Sequence, residues 1–221
     1  LSPDVGGNLP EILGYDETVT LLKESDDIYL KFGADTKVYG VDKEKEIREI
    51  RRKAITANLK LIECPIRHLG TEEGYKIYSR LQEHLLEQGV EMEFNTMVKD
   101  IIIEDGQVKG LVTDKDETYH AKEIVSAVGR EGADWFSHIC NGHGIETQVG
   151  TVDIGVRVEV RDEGMEFLND NLYEAKLVYH TPTFDDKVRT FCTNPSGEVA
   201  TENYDNGLAV VNGHAYITKD L

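Results

Sequence analysis

The spacing of apolar positions along this chain changes several times, and each change marks an element. Across 75–86, Ile77, Tyr78, Leu81 and Leu85 recur at steps of three and four, which predicts a helix with one apolar stripe. Gly89 closes it, because glycine accepts the positive φ of a helix end. Val90, Met92 and Phe94 then alternate with Glu91, Glu93 and Asn95, the two-residue period of a strand. Two β-rich runs, 98–103 and 107–112, flank Glu104-Asp105-Gly106, where Asp-Gly predicts a tight hairpin. A polar turn at Asp114-Lys115-Asp116 leads to a third strand at 118–121. Residues 124–128 are a short apolar run ending in Gly129, as expected of a strand buried on both faces of a parallel sheet. This central stretch reads as helix, parallel strand, antiparallel meander and a return to the parallel sheet, with 89–93 and 124–128 side by side.

Upstream, Val19, Leu22, Ile28, Tyr29 and Phe32 predict an amphipathic helix over 16–32 with Asp16 as N-cap. A second helical pattern opens at Asp42 and carries Ile47, Ile50, Ala54 and Ile55. A short strand at 59–63 ends at Cys64-Pro65, because the residue before proline disfavours helix. Thr71 suits the N-cap of the central helix, and Glu72 and Glu73 suit its positive end. Downstream of Gly129 a turn precedes a helix that buries Trp135. From 152 to 161 the alternation is the cleanest in the chain. Val152, Ile154, Val156, Val158 and Val160 share one face, expected to be core, and Asp153, Gly155, Arg157, Glu159 and Arg161 the other. Further strands are expected at 175–180, 187–192, 198–203 and 208–212, with 188–192 in the same antiparallel sheet as 152–160 and a hairpin at Asp205-Asn206-Gly207. The fold class is α/β plus α+β, in three regions: a helical insertion (1–65), the meander region (66–145) and a mostly antiparallel β region (146–221).

With 221 residues, 39% of them hydrophobic, the chain can bury a sizeable core. No apolar stretch reaches the ~18 to 20 residues that span a bilayer, so we expect a soluble, cytoplasmic protein. Forty-two acidic residues against 24 basic ones leave a formal charge of −18. Such a field repels phosphate backbones and anionic lipid surfaces, and neither nucleic acid nor membrane is expected as a partner. Arg48, Arg51, Arg52 and Lys53 do cluster, but they interleave with Glu44, Glu46 and Glu49 as paired surface charges on a helix. Cys64, Cys140 and Cys192 are odd in number and far apart, which fits reduced thiols.

Candidate chemistry is sparse. His138, Cys140 and His143 have zinc-ligand character, yet no second ligand cluster completes a tetrahedral site, and we assign no metal. Arg157 and Arg189 fall on strands, where a guanidinium fork binds a substrate carboxylate or pairs with a cross-strand acid. His214, after Asn212-Gly213, suits an acid or base near neutral pH.

Four stretches carry a resemblance: Gly89-Val90-Glu91, Asn95-Thr96-Met97-Val98, Glu104-Asp105-Gly106-Gln107-Val108, and the run from Ala121 through Ala127-Val128-Gly129-Arg130. Here the chain resembles the flavoproteins with two dinucleotide-binding domains, and more narrowly the uncharacterised FAD-dependent dehydrogenases of the HI0933-like group. The likeness extends to 153–159 and 188–195. It implies a partial Rossmann-like FAD domain with a β-meander, followed by a mostly antiparallel β substrate domain. It also implies Val98 beside the adenine of FAD and Ala127, Val128 and Gly129 beside the nucleotide. Arg67 and His68 would lie near the isoalloxazine or substrate, or simply cap their connection. Gly6 and Gly7 would be the tail of a flavin-side loop or an ordinary linker. One feature of the family is missing: no G-x-G-x-x-G follows a strand anywhere in the sequence. We therefore expect an internal piece of an FAD-dependent oxidoreductase acting on an unidentified small-molecule substrate. FAD should bind the full-length protein and bind this chain weakly or not at all, and a homodimer through an exposed sheet edge is the expected assembly. The alternative is a non-enzymatic acidic binding or assembly module.

Overall fold

A computed structural model describes residues 9–150, 152–204 and 207–214. In chain order the elements begin with α1 (Leu9–Leu13), α2 (Tyr15–Lys31), α3 (Glu44–Thr56), β1 (Lys60–Ile62) and α4 (Thr71–Glu87). The meander follows as β2 (Val98–Glu104), β3 (Gln107–Thr113) and β4 (Thr118–His120), then the helices α5 (Ala133–Gly142) and α6 (Asp162–Leu172). The chain closes with β5 (Lys176–His180), β6 (Lys187–Arg189), β7 (Glu198–Asn203) and β8 (Ala209–His214). Two compact units result: Leu1–Gln88 with Arg157–Asn203 and Gly207–Leu221, and Gly89–Val156 with Tyr204–Asn206. Among the described residues every strand pairing is antiparallel.

The first unit is built on the stripe of α3. Ile47, Ile50 and Ala54 recur at three and four residues and bury against Leu61 of β1, Leu172 of α6 and Ala175. β1 pairs with β5, and β5 with β6, to give a three-stranded sheet. Ile77 of α4 is 1% exposed, the most buried hydrophobic side chain described. On the same helix Tyr78 meets Tyr29 of α2 edge to face at 6.2 Å, their hydroxyls 3.2 Å apart. The hairpin β7–β8 is paired from Glu198↔His214 to Asn203↔Ala209.

The second unit is the meander β2–β3–β4 with α5. Asp105 and Gly106 both have positive φ, 51° and 72°, as a two-residue turn that follows strand twist requires. Thr113, 2% exposed, turns its hydroxyl back to accept the N–H groups of Lys115 and Glu117, which fixes the second turn. α5 is tied to β2 by the Trp135 indole N–H donating to the Lys99 carbonyl at 3.3 Å and by His143 Nε2 at 3.0 Å from Asp100. Trp135 ends half-buried.

Several expectations are corrected. Residues 90–97 and 121–128 form no ladder, so the parallel pairing of 89–93 with 124–128 is not made. Phe94 and Val125 are 60% and 90% exposed, and a parallel strand needs both faces covered. The alternating stretch has no buried face: Val152, Ile154, Val156, Val158 and Val160 are all exposed, from 59% to 95%, and on the opposite face Asp153, Gly155, Glu159 and Arg161 are exposed too, with Arg157 alone half-buried. Alternation decides which side chains share a face, but it supplies no partner strand. Here the side chain that turns inward is the one that finds hydrogen-bond acceptors. Residues 188–192 accordingly share no sheet with 152–160, and their ladder shrinks to β6. The helix α6 was not expected, although Asp162 and Glu163 in its first turn and the Phe167, Leu168, Leu172 spacing signal one. The N-caps of α2 and α4 are Gly14 and Gly70, at φ 87° and 66°, in place of Asp16 and Thr71, since the chain bends sharply as it enters each helix. Gly6, Gly7, Asp205 and Asn206 lie outside the described residues.

Candidate functional site

The sharpest backbone feature of the first unit is at Tyr173. Leu172 ends α6 in the core, 5% exposed, and Ala175, 4% exposed, enters the same core just before β5. The chain must reverse within the two residues between them. Tyr173 takes φ 62° and ψ −58°. The Glu174 N–H donates to the Leu172 carbonyl at 2.7 Å. This is a γ-turn on the positive-φ side, which costs a bulky residue on the order of 1–3 kcal/mol and persists only where its surroundings enforce it.

Those surroundings are polar and aromatic. Tyr173 Oη lies 3.0 Å from His68 Nε2, and the two rings stack at 4.5 Å. Tyr39 is the other ring neighbour, 5.0 Å from Tyr173, and is held there by a double backbone bond with Ile66 at 2.8 and 3.1 Å. Lys37 Nζ stands 4.1 Å over the Tyr39 ring. Burial, reinforced by Tyr39 and Glu174, pushes the Tyr173 hydroxyl up to about 12, so it keeps its proton. Burial also raises the Glu174 carboxyl, against the lowering effect of the Thr193 N–H and of Lys176.

Glu174 leads directly to the next group. Cys192 is an exposed residue, but partial burial of its sulfur and the neighbouring Glu174 push the thiol up, and Arg157 opposes them. Arg157 Nη1 donates to the Cys192 carbonyl at 3.1 Å and Nη2 to Asn212 Oδ1 at 3.0 Å. Asn212 Nδ2 in turn donates to Glu202 at 2.7 Å. His68 bonds Tyr173, Arg157 bonds the Cys192 carbonyl, and the Glu174 charge acts on both Tyr173 and Cys192, so that four separate stretches of sequence come near one another. A phenol that holds its proton, an imidazole bonded to it and a carboxyl of raised proton affinity can donate and accept protons. Perturbed titratable groups of this kind mark functional sites more often than chance.

Of the sequence candidates, Arg157 belongs to this cluster, but its two described donors are taken by neutral acceptors, the Cys192 carbonyl and Asn212 of β8. Arg189 lies on β6 opposite Val178, its guanidinium 5.0 Å over Phe191. His214 ends β8 opposite Glu198. The three occupy three different settings. Arg67 is structural: Nε and Nη2 grip both Asp26 oxygens of α2 at 2.7 and 2.8 Å, and Nη1 donates to the Asp35 carbonyl. His68, its neighbour, is the member of that pair that reaches the cluster. Tyr39, Tyr173 and Glu174 do not stand out in the sequence, because nothing in their spacing joins positions 39, 68 and 173. Among the described residues no group of three His, Cys, Asp or Glu side chains can hold a metal ion. His143 pairs with Asp100, and Cys140 is buried in α5.

The nucleotide candidates lie in the second unit. Val98 opens β2 opposite Thr113, half-buried. Ala127, Val128 and Gly129 run in irregular chain. Gly129 has φ 64° and open space where a Cβ would be, so its backbone is approachable. These positions offer apolar side chains and one open stretch of backbone. They do not fit a pyrophosphate, because the glycine-rich turn that would offer several N–H groups to it is absent from the sequence.

Residues 51–173 match the family model described as pyridine nucleotide-disulphide oxidoreductase. A protein of Clostridium beijerinckii, described only as uncharacterized, is 26% identical over 167 residues, which cover 70% of this chain and 30% of that protein. The chain therefore spans about a third of the length of the relative it matches. The matched span holds α4, the whole meander, α5 and α6, and so more than half of the sequence: the chain belongs to the pyridine nucleotide-disulphide oxidoreductase family, whose members bind FAD or NAD(P).

Proposed function

We propose that this chain is an internal portion of an FAD-dependent dehydrogenase, of the subgroup that its sequence resembles, acting on a small-molecule substrate. The observation that carries the reading is the order of elements inside the matched residues: α4, a glycine stop at Gly89 with φ 84°, and the antiparallel meander β2–β3–β4. In this reading Val98 and residues 127–129 line the adenine side of the cofactor, and the three regions 1–65, 66–145 and 146–221 are insertion, cofactor region and substrate region. Arg157, Arg189 and His214 remain the proposed substrate-side residues, Arg157 by fixing the Cys192 loop. When bound, FAD supplies the hydride chemistry, and the protein supplies position, electrostatics and proton handling. Among the described residues no helix is long and apolar enough to cross a membrane. We place the protein in the cytoplasm, with self-association through an uncovered strand edge.

The test is the longer protein itself. Purified, it should be yellow, show the flavin absorption bands and release FAD on denaturation. A colourless protein that takes up neither FAD nor FMN on reconstitution would sink the proposal.

A further inference from the structure

We propose that the cleft between α2 and α4 binds a small aromatic carboxylate, its ring against Ile77 and its carboxylate on Lys31 and Arg80. The cleft lies wholly within the first unit, and the inference goes beyond the proposed function, since it involves neither a cofactor nor a redox step. Ser25, Ile28 and Tyr29 of α2, with Phe32 at its C-cap, face Ile77 and Leu81 of α4 around a cavity of about 190 Å³. Ile77 is 1% exposed and Ile28 is 49% exposed, so the cavity has an apolar floor and an open side. A cavity of ~150 Å³ lined by Leu, Ile and Phe is enough to hold benzene. This one therefore takes a single ring and is too small for a nucleotide. The Tyr29 hydroxyl lies 3.2 Å from that of Tyr78, and this bond raises the Tyr29 phenol, so that wall carries no negative charge near neutral pH.

The positive charge gathers around Phe32, a wall of the same cavity. Lys31 Nζ stands 5.2 Å over the Phe32 ring, and the His84 ring lies 5.3 Å from it. Arg80 Nη1 donates to the Phe32 carbonyl at 3.1 Å, in space that Gly33 leaves open at φ 99°, where a Cβ would collide with the guanidinium. An ammonium has no lone pair, so Lys31 donates to His84 Nε2 at 3.4 Å and the charge stays on Lys31. Among the described residues neither Lys31 nor Arg80 meets a carboxylate, although the chain holds 42 acidic residues. Two cations without a counter-ion beside an apolar cavity complement a carboxylate, with which a charge-assisted hydrogen bond is about twice as strong as a neutral one. A ring in the cavity touches Phe32, and a two-carbon arm then carries its carboxylate to Lys31 Nζ. The formal charge of −18 opposes this only weakly, because distant acids are screened beyond about 8 Å at physiological ionic strength.

Amide NMR of the 221-residue chain, titrated with 3-phenylpropionate, tests this. Saturable shifts should centre on 25–32 and 77–81, with a dissociation constant of ~0.1–1 mM. The uncharged 3-phenylpropan-1-ol, with the same ring and arm, should bind about tenfold more weakly. Lys31→Met, at an exposed position, should weaken the acid roughly fivefold and leave the alcohol unchanged. Leu81→Trp, which fills the cavity, should abolish both, and the comparison of acid with alcohol in Lys31→Met decides the matter even where Leu81→Trp fails to fold. Equal affinity for acid and alcohol, or shifts centred elsewhere, overturns the inference. So do shifts at these residues that follow protein concentration without ligand, which would give the cleft to a second copy. Binding that is present in this chain and lost in the longer protein overturns it as well, by giving the cleft to the remainder of that protein. None of these outcomes bears on whether the longer protein holds flavin.

Discussion

Arg67 and His68 are neighbours with separate tasks, and the difference lies entirely in what reaches them from elsewhere. Arg67 is 8% exposed and bidentate on Asp26, 41 residues away, and it also ties down the backbone at Asp35 and Lys37. Replacing it by Ala leaves a carboxylate and two carbonyls without their donor, at a cost of about 2–4 kcal/mol in urea unfolding. Lys should restore less than half of that, because a point charge cannot reproduce the fork. The Arg67 hydrogen bond holds the Asp26 carboxyl below its usual value. A group depressed on folding stabilises above its unfolded pKa, about 3.9, and that stability disappears as pH falls toward the folded value. Wild type should therefore lose stability steeply below about pH 4, and Asp26→Asn should flatten that limb. Equal acid limbs in the two proteins would show that the pair contributes nothing. The sequence offers Arg67 and His68 together, as residues near the isoalloxazine or substrate or as caps of their connection, with nothing to tell one from the other. Sorting them required Asp26 and Tyr173, and no local pattern announces a partner at that separation.

At the scale of elements, what could be read was what is decided locally. The meander is correct because Asp105-Gly106 takes positive φ at both positions whatever surrounds it, and the helices α2, α3 and α4 are correct because their apolar stripes repeat within the element. A Gly106→Val change should cost about 1–2 kcal/mol, since a β-branched residue resists that conformation. Faster amide exchange across β2 and β3 would report it. The alternation at 152–160 was equally clear and led to the wrong burial, because a strand exists only with a neighbour. Nor did the run at 124–128 reveal that its faces would be open. We expect the amides of 152–160 to exchange within the dead time while those of β2 and β3 are protected. Protection of 152–160 that appears with rising protein concentration would instead show this strand pairing between copies. α6 is quiet in the sequence for a different reason: its short pattern, Phe167, Leu168 and Leu172, sits beside a much louder β signal.

For the whole molecule, the decisive fact is which part of a nucleotide site the sequence contains. FAD is held chiefly at its pyrophosphate, by N–H groups of a glycine-rich turn and the positive end of the helix that follows. That turn is absent, and the positions proposed for the cofactor, Val98 and residues 127–129, offer apolar surface and the open backbone at Gly129. A formal charge of −18 adds no attraction for a doubly anionic linkage and mildly repels it. The family match and the weak-binding expectation are therefore compatible: one reports ancestry of the fold, the other the inventory of donors. Calorimetric titration of the 221-residue chain with FAD should show no binding tighter than micromolar. A sub-micromolar dissociation constant, ~−8 kcal/mol or better, would mean that the pyrophosphate finds donors in this chain after all. The place to search would then be the backbone amides around Gly129 and the start of α5, with Gly129→Val as the variant that should abolish the binding.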